Sequence, residues 1–144
     1  MIGETTARGE PAERGPRGAG AGTLKELCAS FVDGYRRRDP ALLLGLYLDS
    51  ARIVPAWNET HPVSPAEDIE DRMRLGLPMQ FRVQDIFEDG ARAHVRLAWS
   101  VEGTTTDGTD LEISGTASLE CEKRDRRWYI ASEWLRHEAP GLEG

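Results

Sequence analysis

No stretch of this sequence stays apolar for anything near the roughly 20 residues a membrane-spanning helix needs, so no membrane partner is expected. The first residues lack the apolar core of a secretory leader, which makes the cytoplasm the expected location. Histidine is scarce: His61, His94 and His137 are scattered, with no Cys or carboxylate at metal-ligand spacing, so no metal site is expected. No cofactor-binding motif is apparent either, and none is expected to be bound. Cysteine is scarce too. Cys28 and Cys121 both fall on apolar-patterned positions and read as buried free thiols of a reducing compartment, with a disulfide or a reactive thiol as the alternatives. Basic residues are outnumbered, 18 against 25 acidic, and the net charge of −7 argues against nucleic acid as a partner. What is present, 144 residues with 39% hydrophobic and 30% charged content, suits one globular domain with a real core.

Residues 1–22 are rich in Gly, Pro, Arg and Glu and offer little to bury, so they read as a disordered tail. The domain is expected over 23–136, with a short C-terminal tail at 137–144. From Thr23 onward Leu24, Leu27, Cys28, Phe31 and Tyr35 recur at helical spacing, and Thr23 with Glu26 forms a capping-box pattern. Asp39-Pro40 opens a second helix. Asp49 to Trp57 reads as a short edge strand broken at Pro55. Ser64-Pro65-Ala66-Glu67 starts a third helix, with Ala66, Ile69 and Met73 as its expected buried face.

The rest alternates as strands. Phe81, Val83 and Phe87 mark one face of the first. Ala93, Val95, Leu97, Trp99 and Val101 mark the next, and Ile113, Gly115, Ala117, Leu119 and Cys121 the one after. Face parity sets the registers. A three-residue turn at Thr106-Asp107-Gly108 pairs Trp99 with Gly115 and Val95 with Leu119. The same logic around Glu88-Asp89-Gly90 pairs Val83 with Val95 and Asp85 with Ala93. On the last strand it pairs Cys121 with Trp128, Leu119 with Ile130 and Gly115 with Trp134. Gly115 is then a bend covered by Trp99 and Trp134. Asp85 reaches the inner face, where desolvation would raise its pKa as a general acid or base requires. A bulge turning it to solvent is the alternative. On the outer face Arg92 opposes Glu122, and His94 opposes Glu120.

The order of elements, with Tyr35-Arg36-Arg37-Arg38-Asp39-Pro40 leading to Leu46-Tyr47, then Asp49-Ser50-Ala51-Arg52-Ile53, Gly90-Ala91-Arg92-Ala93-His94-Val95 and Arg127-Trp128-Tyr129-Ile130, resembles the nuclear transport factor 2-like superfamily. That superfamily includes ketosteroid isomerases, SnoaL-like polyketide cyclases, scytalone dehydratase and limonene epoxide hydrolase. The resemblance implies an α+β fold: three N-terminal helices in the concave face of a strongly bent antiparallel sheet, a cone-like α+β barrel. The family's isomerase acids are not matched. Phe31 stands where the oxyanion-holding Tyr belongs, Val54-Pro55-Ala56 where the proton-shuttling Asp belongs, and the strand Gly115 to Leu119 carries no carboxylate. The Asp-Arg-Asp set of the epoxide hydrolases is not evident.

Two readings follow. In the first, the chain holds a small hydrophobic molecule among Tyr35, Tyr47, Trp57, Trp99 and Trp134, with Asp85 as catalytic acid–base and Tyr47 or Tyr129 as hydrogen-bond donors. If that is enzymatic, the resemblance implies a cofactor-free isomerase, cyclase or dehydratase. In the second, it is a non-catalytic binding or scaffold module that forms a homodimer through the outer sheet face. Core packing is sufficient reason for each aromatic to be present.

Overall fold

In the computed structural model, which describes residues 19–55 and 61–138, each helix starts at a side chain able to cap it. Helix α1 (Leu24–Arg36) has the reciprocal Thr23–Glu26 box. Helix α2 (Pro40–Leu44) starts at Asp39, whose carboxylate accepts from the Leu42 amide at 3.2 Å. Helix α3 (Pro65–Met73) starts at Ser64, whose hydroxyl accepts from the Glu67 amide at 3.2 Å. The face α3 buries is the expected one only in part: Ile69 lies at its centre and Met73 at its border. Pro65, Asp68, Ile69 and Arg72 are buried, whereas Ala66 is exposed and Met73 half-buried. The helix is thus rotated to put an acid and an arginine inward.

Five strands follow: β1 (Tyr47–Val54), β2 (Gln80–Asp89), β3 (Arg92–Thr104), β4 (Asp110–Arg124) and β5 (Arg127–Glu138), in sheet order β1-β5-β4-β3-β2. Neighbours are antiparallel except β1 and β5, which run parallel. The β3–β4 hairpin has the expected register, with Trp99 opposite Gly115, Val95 opposite Leu119 and His94 opposite Glu120. Gly108 takes its left-handed position in the turn at φ 89°.

Each of the other two hairpins contains one residue more than alternation allows. In β2 the extra residue is Gln84: Phe81 faces Trp99 and Val83 faces Leu97, but Asp85 faces Arg96 and Ile86 faces Val95. In β5 it is Ala131: Cys121 faces Ile130, but Glu120 faces Ser132 and Leu119 faces Glu133. The β4–β5 turn is Asp125-Arg126, both at positive φ (51° and 69°), as a two-residue hairpin turn requires. These insertions reverse the parity of everything beyond them.

Gly115 is covered by Trp99 as expected, but its other neighbour is His137 rather than Trp134. A Cβ there would lie 1.8 Å from the Arg136 carbonyl oxygen, so the close approach of β5 excludes any side chain. The Trp99 indole donates to the carbonyls of Thr116 (3.0 Å) and Arg136 (3.2 Å), pinning the same spot. At the chain ends, Ala21 falls within the expected tail, yet it is buried and bridges to Trp128. Strand β5 continues through His137 to Glu138.

The concave side is filled. Phe31, Tyr35 and Phe81 form a ring cluster with centroids 4.7 to 5.1 Å apart, and Leu27, Leu43, Val95, Leu97, Leu119 and Ile130 pack around it with no exposure.

Candidate functional site

A polar network lies inside this packed space, built from four elements: Tyr35 of α1, Tyr47 of β1, Asp68 and Arg72 of α3, and Glu133 of β5. None is more than 2% exposed. The Tyr47 hydroxyl donates to Glu133 Oε1 at 2.5 Å, and Arg72 Nη2 donates to Glu133 Oε2 at 2.9 Å. Arg72 Nε lies 2.5 Å from Asp68 Oδ2, an ion-pair contact too poorly aligned to count as a hydrogen bond. The guanidinium carbon sits 4.9 Å above the centre of the Tyr35 ring, in cation–π range. Both Glu133 oxygens are therefore engaged; Arg72 Nη1, Arg72 Nε and Asp68 Oδ2 make no well-aligned hydrogen bond, and the Tyr35 hydroxyl has only the Tyr47 hydroxyl beside it.

Burial governs the ionisation of this group. It pushes the Tyr35 phenol up, and it pushes Tyr47 well up, helped by the Glu133 carboxylate. It pushes Asp68 up to about 6, against the pull of Arg72. Burial also opposes charge on Arg72, but Tyr35, Glu133 and Asp68 around it more than reverse that, and the net shift is upward. With both carboxylates ionised the network carries two negative charges against one positive.

Sequence reasoning found the two tyrosines and missed the three charged members. Two signals were available. Asp68 and Arg72 are spaced i, i+4 on the stripe of Pro65 and Ile69. In the last strand, apolar Trp128 and Ile130 are even-numbered but Leu135 is odd, a parity break that implies a bulge and turns Glu133 inward.

The other expected site residues scatter. The expected inner-face position of Asp85 is corrected: the Gln84 insertion turns it outward, where it is half exposed and lies 3.8 Å from Arg96. Trp134 is likewise corrected, because the Ala131 insertion leaves it on the outer face, 42% exposed. Trp99 is buried and structurally engaged, and Tyr129 is buried near the chain's first described residues. Trp57 lies outside the described residues. The structure thus brings Tyr35 and Tyr47 together and leaves Trp99, Trp134 and Asp85 apart from them.

Space for a ligand lies in two places away from the network: a largely polar hollow of about 510 Å³ over β2, β3 and β4, lined by Arg82, Trp99, Ser100 and Thr116 among others, and the margin of the concave side. A groove of about 700 Å³ lies between α1 and the edge strand β2. Its apolar floor is Cys28, Val32, Leu42, Val83 and Ile86, with Lys25, Asp33 and Arg36 among its polar lining. The two titratable groups that shift there both move away from neutrality. Burial pushes the Cys28 thiol up to about 11, and hydrogen bonds from Arg37 and Arg36 hold the Asp33 carboxyl below the usual range. Beside the buried network the free space is smaller, about 100 Å³, lined by Tyr47 with Leu44, Leu48, Ser64, Pro65 and Ala66.

No protein-family model matches the sequence. Solved structures do match in shape. A ketosteroid isomerase-like protein from Erwinia carotovora atroseptica is 15% identical with a TM-score of 0.67, over 81% of this chain and 95% of that one. A protein of unknown function from Mycobacterium tuberculosis is 20% identical with a TM-score of 0.64, over 83% and 72%. A nuclear transport factor 2-like protein of unknown function from Shewanella oneidensis is 16% identical with a TM-score of 0.62, over 78% and 95%. With its helices, its five-stranded curled and unclosed sheet and these structural neighbours, the chain has the cone fold of the nuclear transport factor 2-like and ketosteroid isomerase-like proteins.

Proposed function

We propose that this protein binds a small hydrophobic molecule in the groove between α1 and β2, without acting on it chemically there. The observation that carries this reading is the groove itself. Its volume of about 700 Å³ falls within the range of small-molecule sites, roughly 300–1,000 Å³, and its floor is apolar. The filled aromatic core leaves no comparable room on the concave side, which moves the expected ligand from the wall of the cone to its margin. The binding reading is favoured over catalysis because the Cys28 thiol stays protonated and the Asp33 carboxylate stays ionised at neutral pH. The test is a thermal-shift panel of uncharged one- and two-ring compounds on the wild type and on Ala29→Trp. Ala29 is exposed on α1 and lines the groove, so the indole fills it. The expected result is stabilisation of the wild type that the variant loses. Absence of stabilisation by every compound contradicts the reading.

A second reading, a homodimer through the outer sheet face, is favoured by Phe87 and Trp134, which are 56% and 42% exposed on that face. Between them lie the His94–Glu120 contact at 2.5 Å and the Arg96–Asp85 pair. A two-fold axis near these pairs would set one protomer's Phe87 toward its partner's Trp134. Sedimentation at micromolar concentration checks this: a dimer that Trp134→Arg dissociates supports it, and a wild-type monomer rejects it.

A further inference from the structure

We propose that the α1–β2 groove takes an amphipathic monocarboxylate with an extended apolar body, a free fatty acid being the simplest, and that its head group pairs with Lys25. This rests on the binding reading given above and adds the chemical class of the ligand. The shape of the groove selects the body. Its lining on α1 includes Lys25, Cys28, Ala29, Val32, Asp33 and Arg36, which recur at helical spacing and form one stripe along nearly the whole helix. At roughly 1.5 Å per residue that stripe runs for about 16 Å, a length that suits an unbranched chain. Facing it, Ile86 is 42% exposed, and Val32 and Val83 are only half-buried. This is apolar surface that a ligand body would cover.

The charges select the head group. Two cations and one acid line the groove, in a chain whose net charge is −7. The acid is already satisfied: Arg36 donates to Asp33 Oδ1, and Arg37 donates to Oδ2 at 2.9 Å. The same pairing occupies Arg36. Lys25 is exposed and makes no hydrogen bond or ion pair among the described residues. Its three N–H donors are open to an acceptor on the ligand, and no acid of the lining competes for them. The groove's excess of one positive charge matches one carboxylate. A cationic head would meet Lys25 with like charge, and an uncharged one would leave the ammonium to water. The apolar body supplies most of the affinity, and the ion pair adds selectivity.

The experiment follows the methyl signals of Val32, Val83 and Ile86 in the full chain by NMR, at neutral pH and low salt, during titration with octanoate, octanol or octylammonium. These probes share one body and differ in the charge of the head. Octanoate is expected to bind about three- to tenfold more tightly than octanol, and octylammonium more weakly than octanol. Lys25→Met removes the charge and keeps an apolar stem at an exposed position, so it is expected to fold as the wild type and to bring the octanoate-to-octanol ratio to about one. Ala29→Trp, which fills the groove, is expected to abolish the response to both. Equal affinity for octanoate and octanol, or a preference that survives Lys25→Met, overturns the head-group assignment and leaves the groove standing as a site for uncharged molecules. Octanoate binding that survives Ala29→Trp overturns the assignment by placing the ligand elsewhere. Saturation by none of the three overturns this proposal and the groove reading together.

Discussion

Glu133 owes its place to Ala131. Without that inserted residue the parity of β5 would carry Trp134 inward and leave Glu133 at the surface. Inside, the carboxylate is one leg of a buried pair that is costly to break, because truncating it strands the Arg72 guanidinium in the core. Glu133→Ala is therefore expected to lose about 3–5 kcal/mol in urea denaturation, whereas Tyr35→Phe, which gives up only a poorly aligned contact with Tyr47, is expected to lose less than about 1 kcal/mol. Asp68 gives a pH signature. Its folded pKa of about 6 lies above the ordinary carboxyl value of 3.8, so between those two pH values the folded state holds more protons than the unfolded one. The contribution of this group is largest at low pH and is lost as pH rises through that window. Asp68→Asn is then expected to gain stability relative to the wild type between pH 4 and pH 7.5, by on the order of 2 kcal/mol. Unfolding free energies of both proteins at the two pH values check the sign. The tyrosines were legible as pocket candidates because aromatics stand out at helical and strand positions. The charged members were not, since a charged side chain on a short helix or a strand reads as solvated until the opposite element supplies its partner.

At the level of elements, turns and caps were readable and insertions were not. Thr23, Asp39 and Ser64 cap the helices they were expected to cap, because capping depends on side chains within three residues. The β3–β4 register was readable because its strands alternate without interruption. The neighbouring hairpins each hide one extra residue, Gln84 or Ala131. Nothing in the local pattern marks Gln84, because a bulge is set by how the strand meets its neighbour, and Ala131 shows only as the parity break between Ile130 and Leu135. Gly115 is the element-scale test. Placing a Cβ 1.8 Å from the Arg136 carbonyl forces β4 and β5 apart at the bend. Gly115→Ala is expected to cost about 3 kcal/mol and to shift the indole N–H resonance of Trp99, whose two acceptors sit at the same place. Wild-type stability in Gly115→Ala would show that the strands are not held that closely.

For the whole molecule, the fold and its cone shape were legible from the succession of caps, periodicities and turns, while the location of open space was not. Alternation identifies which face of a strand is covered, but not whether helices or a ligand cover it. Here Phe31, Tyr35 and Phe81 cover it, and the room on that side lies in the groove between α1 and β2, whose last residues are exposed. The central claim is that this margin is where a hydrophobic molecule binds. Methyl-resolved NMR titration with naphthalene tests it most directly. The account expects saturable shifts at Val32, Leu42, Val83 and Ile86, with Leu44 and Leu48 unmoved. Shifts confined to Leu44 and Leu48, or none at saturating naphthalene, would contradict it.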